Sequence, residues 1–109
     1  MRGGAAPVLS MSYRTPYKGL KILDISQGFA GPYCAGIFAL YGAEVTKVEP
    51  PEGDWIRHIG TRFGDHTALS IVANRAKRSI CLNLKKAESR ELILEMAKNA
   101  DIMVESFRP

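Results

Sequence analysis

The sequence predicts an α/β domain built on a parallel sheet with flanking helices. Three observations carry that expectation. A short apolar run, Leu20–Ile25, breaks into a glycine-containing turn, Ser26–Gly31, and then into a helical pattern opened by Pro32. Further apolar runs follow at Val45–Glu49, Ile80–Leu84 and Ile102–Val104, with helical or polar stretches between them. The resulting order, β-α-β-(α)-β-α-β, is that of right-handed crossovers within one sheet. At 109 residues the chain has room for one core and not two.

Each element has a local reason. Leu20, Ile22, Leu23 and Ile25 form a nearly continuous apolar run, as expected of a strand buried on both faces. Pro32 suits the first helical position, where its missing N–H costs nothing. Tyr33, Ile37, Leu40 and Tyr41 then recur at helical spacing and mark one apolar face, with Gly42 as the residue past the helix end. Gly36 inside this helix costs ~1 kcal/mol relative to Ala and would allow close contact between helix and strand. The second strand is stopped by Pro50 and Pro51. Glu52–Gly64 reads as irregular, Thr67–Ala73 as a short helix and Asn74–Arg78 as a charged turn. Ile80, Leu82 and Leu84 alternate with Cys81 and Asn83, the period of a strand. Glu88–Ala100 is helical, with Leu92, Ile93, Met96, Ala97 and Ala100 at helical spacing, Glu95 and Lys98 able to pair, and no good N-cap at Lys86 or Ala87.

Composition narrows the function classes. The hydrophobic share of 46% and charged share of 24% are those of a globular domain. No apolar run approaches the ~18 residues of a membrane span. The net charge is +4, but Arg2, Arg14 and Lys18 fall in a first stretch without acids, leaving the rest close to neutral. A basic leader on a neutral domain argues against a nucleic-acid partner. Residues 1–18 read as a leader without order. It has no apolar signal core and only a weak transit-peptide character, and Met11 is an alternative start. Residues 19–109 form the domain. Cys34 and Cys81 each sit in an apolar context, which suggests buried small hydrophobes and no disulfide or zinc site. That usage fits a reducing compartment, cytoplasmic with mitochondrial as the alternative.

Candidate chemistry gathers at the strand ends, Ser26–Ala30, Glu49–Pro51, Asn83–Lys85 and Glu105–Arg108, where ligands of such sheets bind. The first turn combines free backbone N–H groups with a helix N-terminus and suits an anion. Gly28-Phe29-Ala30-Gly31, with Glu49 roughly 20 residues on, imitates a dinucleotide fingerprint but lacks its glycine spacing. Arg75, Lys77, Arg78, Lys85 and Lys86 read either as a solvated charged turn or as a phosphate-contacting surface. His58 and His66, near Asp54 and Asp65, read as surface histidines. Asp24, inside an apolar run, reads as structural; Glu105 is ambiguous.

Four stretches then carry a resemblance: LKILDISQGFAGPYC, LYGAEVTKVEPPEGD, NRAKRSICLNLKKAESREL and NADIMVESFRP. In order and spacing, Tyr17–Pro109 resembles the N-terminal segment of class III CoA-transferases, the family of formyl-CoA and carnitine CoA-transferases. α-Methylacyl-CoA racemases share these blocks. The resemblance implies a Rossmann-like large domain of which this chain is the N-terminal part, a smaller second domain, and a homodimer of interlocked subunits. It also implies acyl-CoA and a carboxylic acid acceptor as substrates, with no permanently bound cofactor.

In such transferases an aspartate attacks the acyl-CoA thioester to give a mixed anhydride. CoA thiolate returns to form an aspartyl-CoA thioester, and the acceptor carboxylate takes over the CoA. The resemblance puts that aspartate beyond Pro109, so no catalytic residue is assigned here and these residues alone are expected not to turn over. Gln27, Gly28, Phe29 and Ala30 match residues passing along CoA. Leu82, Asn83, Leu84 and Lys85 match contacts to its nucleotide part, with Arg75 carried along from the basic cluster. Ser106, Phe107 and Arg108 match a segment usually read E-N-F, with serine in place of asparagine. Pro50 replaces an arginine that stacks on adenine in formyl-CoA transferases, so adenine recognition differs or the substrates are not formyl or oxalyl. The alternatives are a racemase of the same family, or a non-catalytic nucleotide-binding module.

Overall fold

The computed structural model describes residues 13–109. Residues 1–12, which include most of the expected leader and Met11, lie outside the described residues. From Tyr13 the chain runs through turns in which Tyr17 donates its N–H to the Tyr41 carbonyl and packs its ring on Phe38.

Four parallel strands form the sheet: β1 (Lys21–Asp24), β2 (Glu44–Glu49), β5 (Arg78–Cys81) and β6 (Ile102–Val104), in the order β5-β2-β1-β6. A two-stranded antiparallel ribbon, β3 (Arg62–Phe63) with β4 (His66–Thr67), lies apart. The helices are α1 (Ala30–Leu40), α2 (Ala68–Asn74) and α3 (Ala87–Lys98), with a 3₁₀ turn at Trp55–His58. This is the predicted α/β architecture. Register pairs Ile22 with Val45, Leu23 with Met103 and Val48 with Ile80. The chain moves outward from β1 through β2 to β5, then returns to the other side of β1 as β6. That reversal places a topological switch point between β1 and β6, where such sheets take ligands.

Alternation along β1 and β2 divides the core. Ile22 and Val45 face α1 and pack with Ala35, Ala39 and Ala43. Leu23, Ile25 and Val48 face α3 and pack with Ile80, Leu82, Ile93, Met96 and Ala97. On the α1 side the C-terminal halves of the strands turn polar, with Asp24, Lys47 and Glu49 all buried.

Several expectations are corrected. Helix α1 starts at Ala30, so Pro32 sits in its first turn rather than opening it; an N–H there would have had no intrahelical partner in any case. The Tyr33, Ile37, Leu40, Tyr41 stripe is exposed, and the buried face is Pro32, Ala35, Gly36 and Ala39. Small residues win that face because α1 comes down onto α2: a Cβ on Gly36 would stand 2.6 Å from the Ala73 carbonyl oxygen. The close contact Gly36 allows is therefore with a helix, not a strand. The third sheet strand covers Arg78–Cys81, and Leu82–Lys85 forms the turn after it, although Leu82 still donates to the Glu49 carbonyl.

The stretch expected to be irregular holds the 3₁₀ turn and β3, the first strand of the ribbon. The short helix is as predicted, one residue later, with Thr67 and Ser70 closing a capping box. Glu95 and Lys98 pair at 2.8 Å, and Lys86 caps α3 with no side-chain bond, both as expected. Cys34 and Cys81 are exposed, not buried: one lies on the outer face of α1 and the other on edge strand β5. Among the described residues no helix is long and apolar enough to cross a membrane.

Candidate functional site

The C-terminal ends of the strands converge on a cleft of about 450 Å³. Ile25 and Val48 line its base. Its walls are Gln27 after β1, Pro50, Pro51 and Glu52 after β2, Asn83, Leu84 and Lys85 after β5, and Phe107 after β6. All four strand ends contribute. The lining combines aliphatic side chains, an aromatic ring, two amides, the Lys85 ammonium and the Glu52 carboxylate, an apolar pocket with a few polar groups of the kind that holds a small ligand.

The Asn83 turn is locally determined. Its Oδ1 accepts the Lys85 N–H at 3.1 Å and its carbonyl accepts the Lys86 N–H at 3.0 Å, a side-chain-closed turn. Arg90, from the first half of α3, donates Nη1 to the Leu84 and Lys85 carbonyls at 3.0 and 3.1 Å and ties the turn to the helix. On the other wall, Ser106 Oγ accepts the Gln27 N–H at 3.1 Å and lies 3.4 Å from the Gln27 carbonyl. The serine that stands in place of asparagine thus bonds the turn's backbone.

Of the residues nominated from sequence, Gln27, Asn83, Leu84, Lys85 and Phe107 meet in this cleft. Ser106 stands behind Gln27, Leu82 is packed in the α3-side core, and Arg108 is exposed at the chain end. Gly28, Phe29 and Ala30 shape the turn rather than line the cleft: the Phe29 ring stacks on Tyr33 at 5.0 Å and Ala30 opens α1. Arg75 lies on a different cavity of about 250 Å³, with Lys47, Glu49, Arg57 and Lys77.

The first turn offers fewer donors to an anion than the sequence suggests. Its amides at Ser26, Gln27 and Gly28 are taken by Asp24 Oδ1, Ser106 Oγ and Asp54 Oδ1. Glu49 is likewise not free to hold a ribose. It grips Arg57 through both oxygens, at 2.6 and 2.7 Å, and accepts the Asp54 N–H at 2.8 Å. The Arg57 hydrogen bonds, against the cost of burial, hold its carboxyl down at about 2. Arg57 is pushed up by the same pairing.

Two buried ion pairs went unread in the sequence. Lys77 reaches Asp24 at 2.8 Å, the Pro32 carbonyl at 2.7 Å and Asn74 Oδ1 at 2.8 Å, and burial pushes its ammonium down from the usual lysine value. It is thus not part of a solvated turn; Ala76, in the left-handed region at φ 66°, reverses the chain just before it. Asp24 is structural, as expected, and satisfied on an inner strand. Lys47 meets Asp54 at 2.7 Å. The available signal was charge inside apolar strands, at Asp24 and Lys47. His58 and His66 are exposed, as expected. Among the described residues no group of His, Cys, Asp and Glu could hold a metal ion.

The profile of CoA-transferase family III matches residues 17–109. The chain belongs to this family. It is 48% identical over 101 residues to an acyl-CoA transferase of Fusarium pseudograminearum, covering 84% of this chain and 22% of that protein. It is 42% identical over 97 residues to a formyl-CoA:oxalate CoA-transferase of Escherichia coli, covering 87% of this chain and 23% of the relative. A solved structure of a CAIB/BAIF family protein from Brucella suis superposes with a TM-score of 0.79 at 35% identity, over 86% of this chain and 26% of its own. The chain thus spans about a quarter of the length of these family III relatives. The resemblance read from the four sequence blocks is borne out.

Proposed function

We propose that residues 19–109 are the N-terminal, CoA-binding part of an acyl-CoA:carboxylate CoA-transferase. The observation that carries this reading is the cleft itself, where Gln27, Asn83, Leu84, Lys85 and Phe107 come together from three strand ends beside Pro50 and Pro51 of the fourth. Lys85 supplies positive charge for phosphates, Phe107 a face for stacking, and the apolar base a surface for the pantetheine arm. The mechanism implied by the resemblance uses an aspartate nucleophile; no aspartate lines the cleft, whose one carboxylate is Glu52. Asp24 and Asp54 are buried in ion pairs, and Asp101 accepts the Lys21 N–H. In this reading the attacking aspartate is the one that the family resemblance puts beyond Pro109. It would form the anhydride and then the aspartyl-CoA thioester while this segment holds the nucleotide end.

Titration of the full-length protein with CoA and with NAD tests the reading. CoA is expected to bind at least about tenfold more tightly, a difference of one well-placed charged contact. A preference for NAD would overturn it, as would CoA transfer catalysed by the 109 residues alone.

A further inference from the structure

We propose that the buried Lys47–Asp54 pair is a positioning device for the Ser26–Gly28 turn, setting the direction in which Gln27 enters the cleft. The inference rests on the CoA-binding reading above. Asp54 Oδ1 accepts the Gly28 N–H at 2.9 Å, and Asp54 Oδ2 takes Lys47 Nζ at 2.7 Å. The same Nζ donates to the Ser26 carbonyl at 2.9 Å. The pair therefore grips the backbone on both sides of Gln27, whose own N–H and carbonyl are held by Ser106 Oγ. Gln27 is the one residue of the three that lines the cleft.

Neither charge touches the cleft. Lys47 shares its strand face with Val45, on the α1 side, whereas the cleft is based on Ile25 and Val48, from the α3 side. The grip reaches the ligand only through the turn. Asp54 is itself fixed: its N–H goes to Glu49 Oε2, its carbonyl accepts the Arg57 N–H at 3.0 Å, and its Oδ1 also caps Ile56. A buried ion pair adds little net stability against an apolar replacement, because desolvation offsets the attraction. Its value here is geometric: a donor and an acceptor set at one defined separation on either side of a ligand-facing residue.

The test compares the full-length parent with D54N and with the double variant K47M/D54N. Asn keeps an acceptor for the Gly28 amide, and the double variant leaves no charge buried alone. CoA affinity by titration calorimetry, acyl-CoA KM, kcat and ligand-free melting are measured together. The double variant is expected to stay folded while CoA affinity falls about tenfold, the weight of one lost polar contact. KM for acyl-CoA should rise in step, with kcat changing less than about threefold. Folded variants that bind CoA like the parent would overturn the inference while leaving the CoA reading intact. Loss of the folded state in both variants would also overturn it, reducing the pair to a folding element. A parent that does not bind CoA would remove both readings.

Discussion

At the scale of single residues, Gly28 joins the turn to the rest of the site. It sits at φ +89°, and a Cβ there would stand 2.3 Å from the Trp55 ring. Gly28→Ala is expected to cost about 1–2 kcal/mol for the left-handed backbone and to displace the indole. Trp55 is the one tryptophan among these 109 residues, and their fluorescence reports that displacement. A shifted emission maximum together with weaker CoA binding is the expected result; unchanged fluorescence would show that the ring does not pack on the turn. Gln27 and Lys85 were legible as candidates because they follow strands. Asp54 and Arg57 were not, because an acid and a base in a glycine-rich stretch look solvated until the fold closes over them. The cysteines misled for the opposite reason: apolar neighbours in sequence do not say which side of α1 or β5 meets the core.

Among the elements, the contact between α1 and α2 turns on Gly36. Replacement by Ala gains ~1 kcal/mol of helix propensity. Against that, the new methyl meets the Ala73 carbonyl oxygen at 2.6 Å, a backbone atom that cannot swing aside. Overpacking of this kind costs about 1–3 kcal/mol. Gly36→Ala should therefore lower the melting temperature by several degrees, and a rise would show that propensity outweighs packing. Element types and order were readable from periodicity. The buried face of α1 was not, since the largest apolar residues mark a stripe that in these residues is left exposed, while alanine and glycine make the close contacts. The β3–β4 ribbon was missed because two-residue strands have no period to detect.

For the whole molecule, the polar half of the sheet's α1 side links folding to pH. The Glu49 carboxyl pKa falls from its ordinary value of 4.5 to about 2 in the folded protein. A carboxyl lowered on folding stabilises fully above its unfolded value, and that stabilisation disappears as pH falls from about 4.5 toward 2. With Arg57 partly exposed, the contribution is about 2–3 kcal/mol. Glu49→Gln should lower stability at neutral pH and flatten the acid limb of a denaturant-midpoint profile across that window. An acid limb as steep as the parent's would show that the Glu49–Arg57 pairing does not govern it.

The sequence by itself determined the element order, the parallel α/β class, the family, and the strand ends where a ligand belongs. Those follow from local periodicity, from turn chemistry, and from four blocks whose spacing few folds share. Only the tertiary structure decided which face of α1 is buried and which turn amides are already taken. It also decided that Lys47, Asp54, Glu49 and Arg57 form a polar layer beneath the turn. Those depend on distances between residues remote in sequence, and closure of the sheet sets those distances.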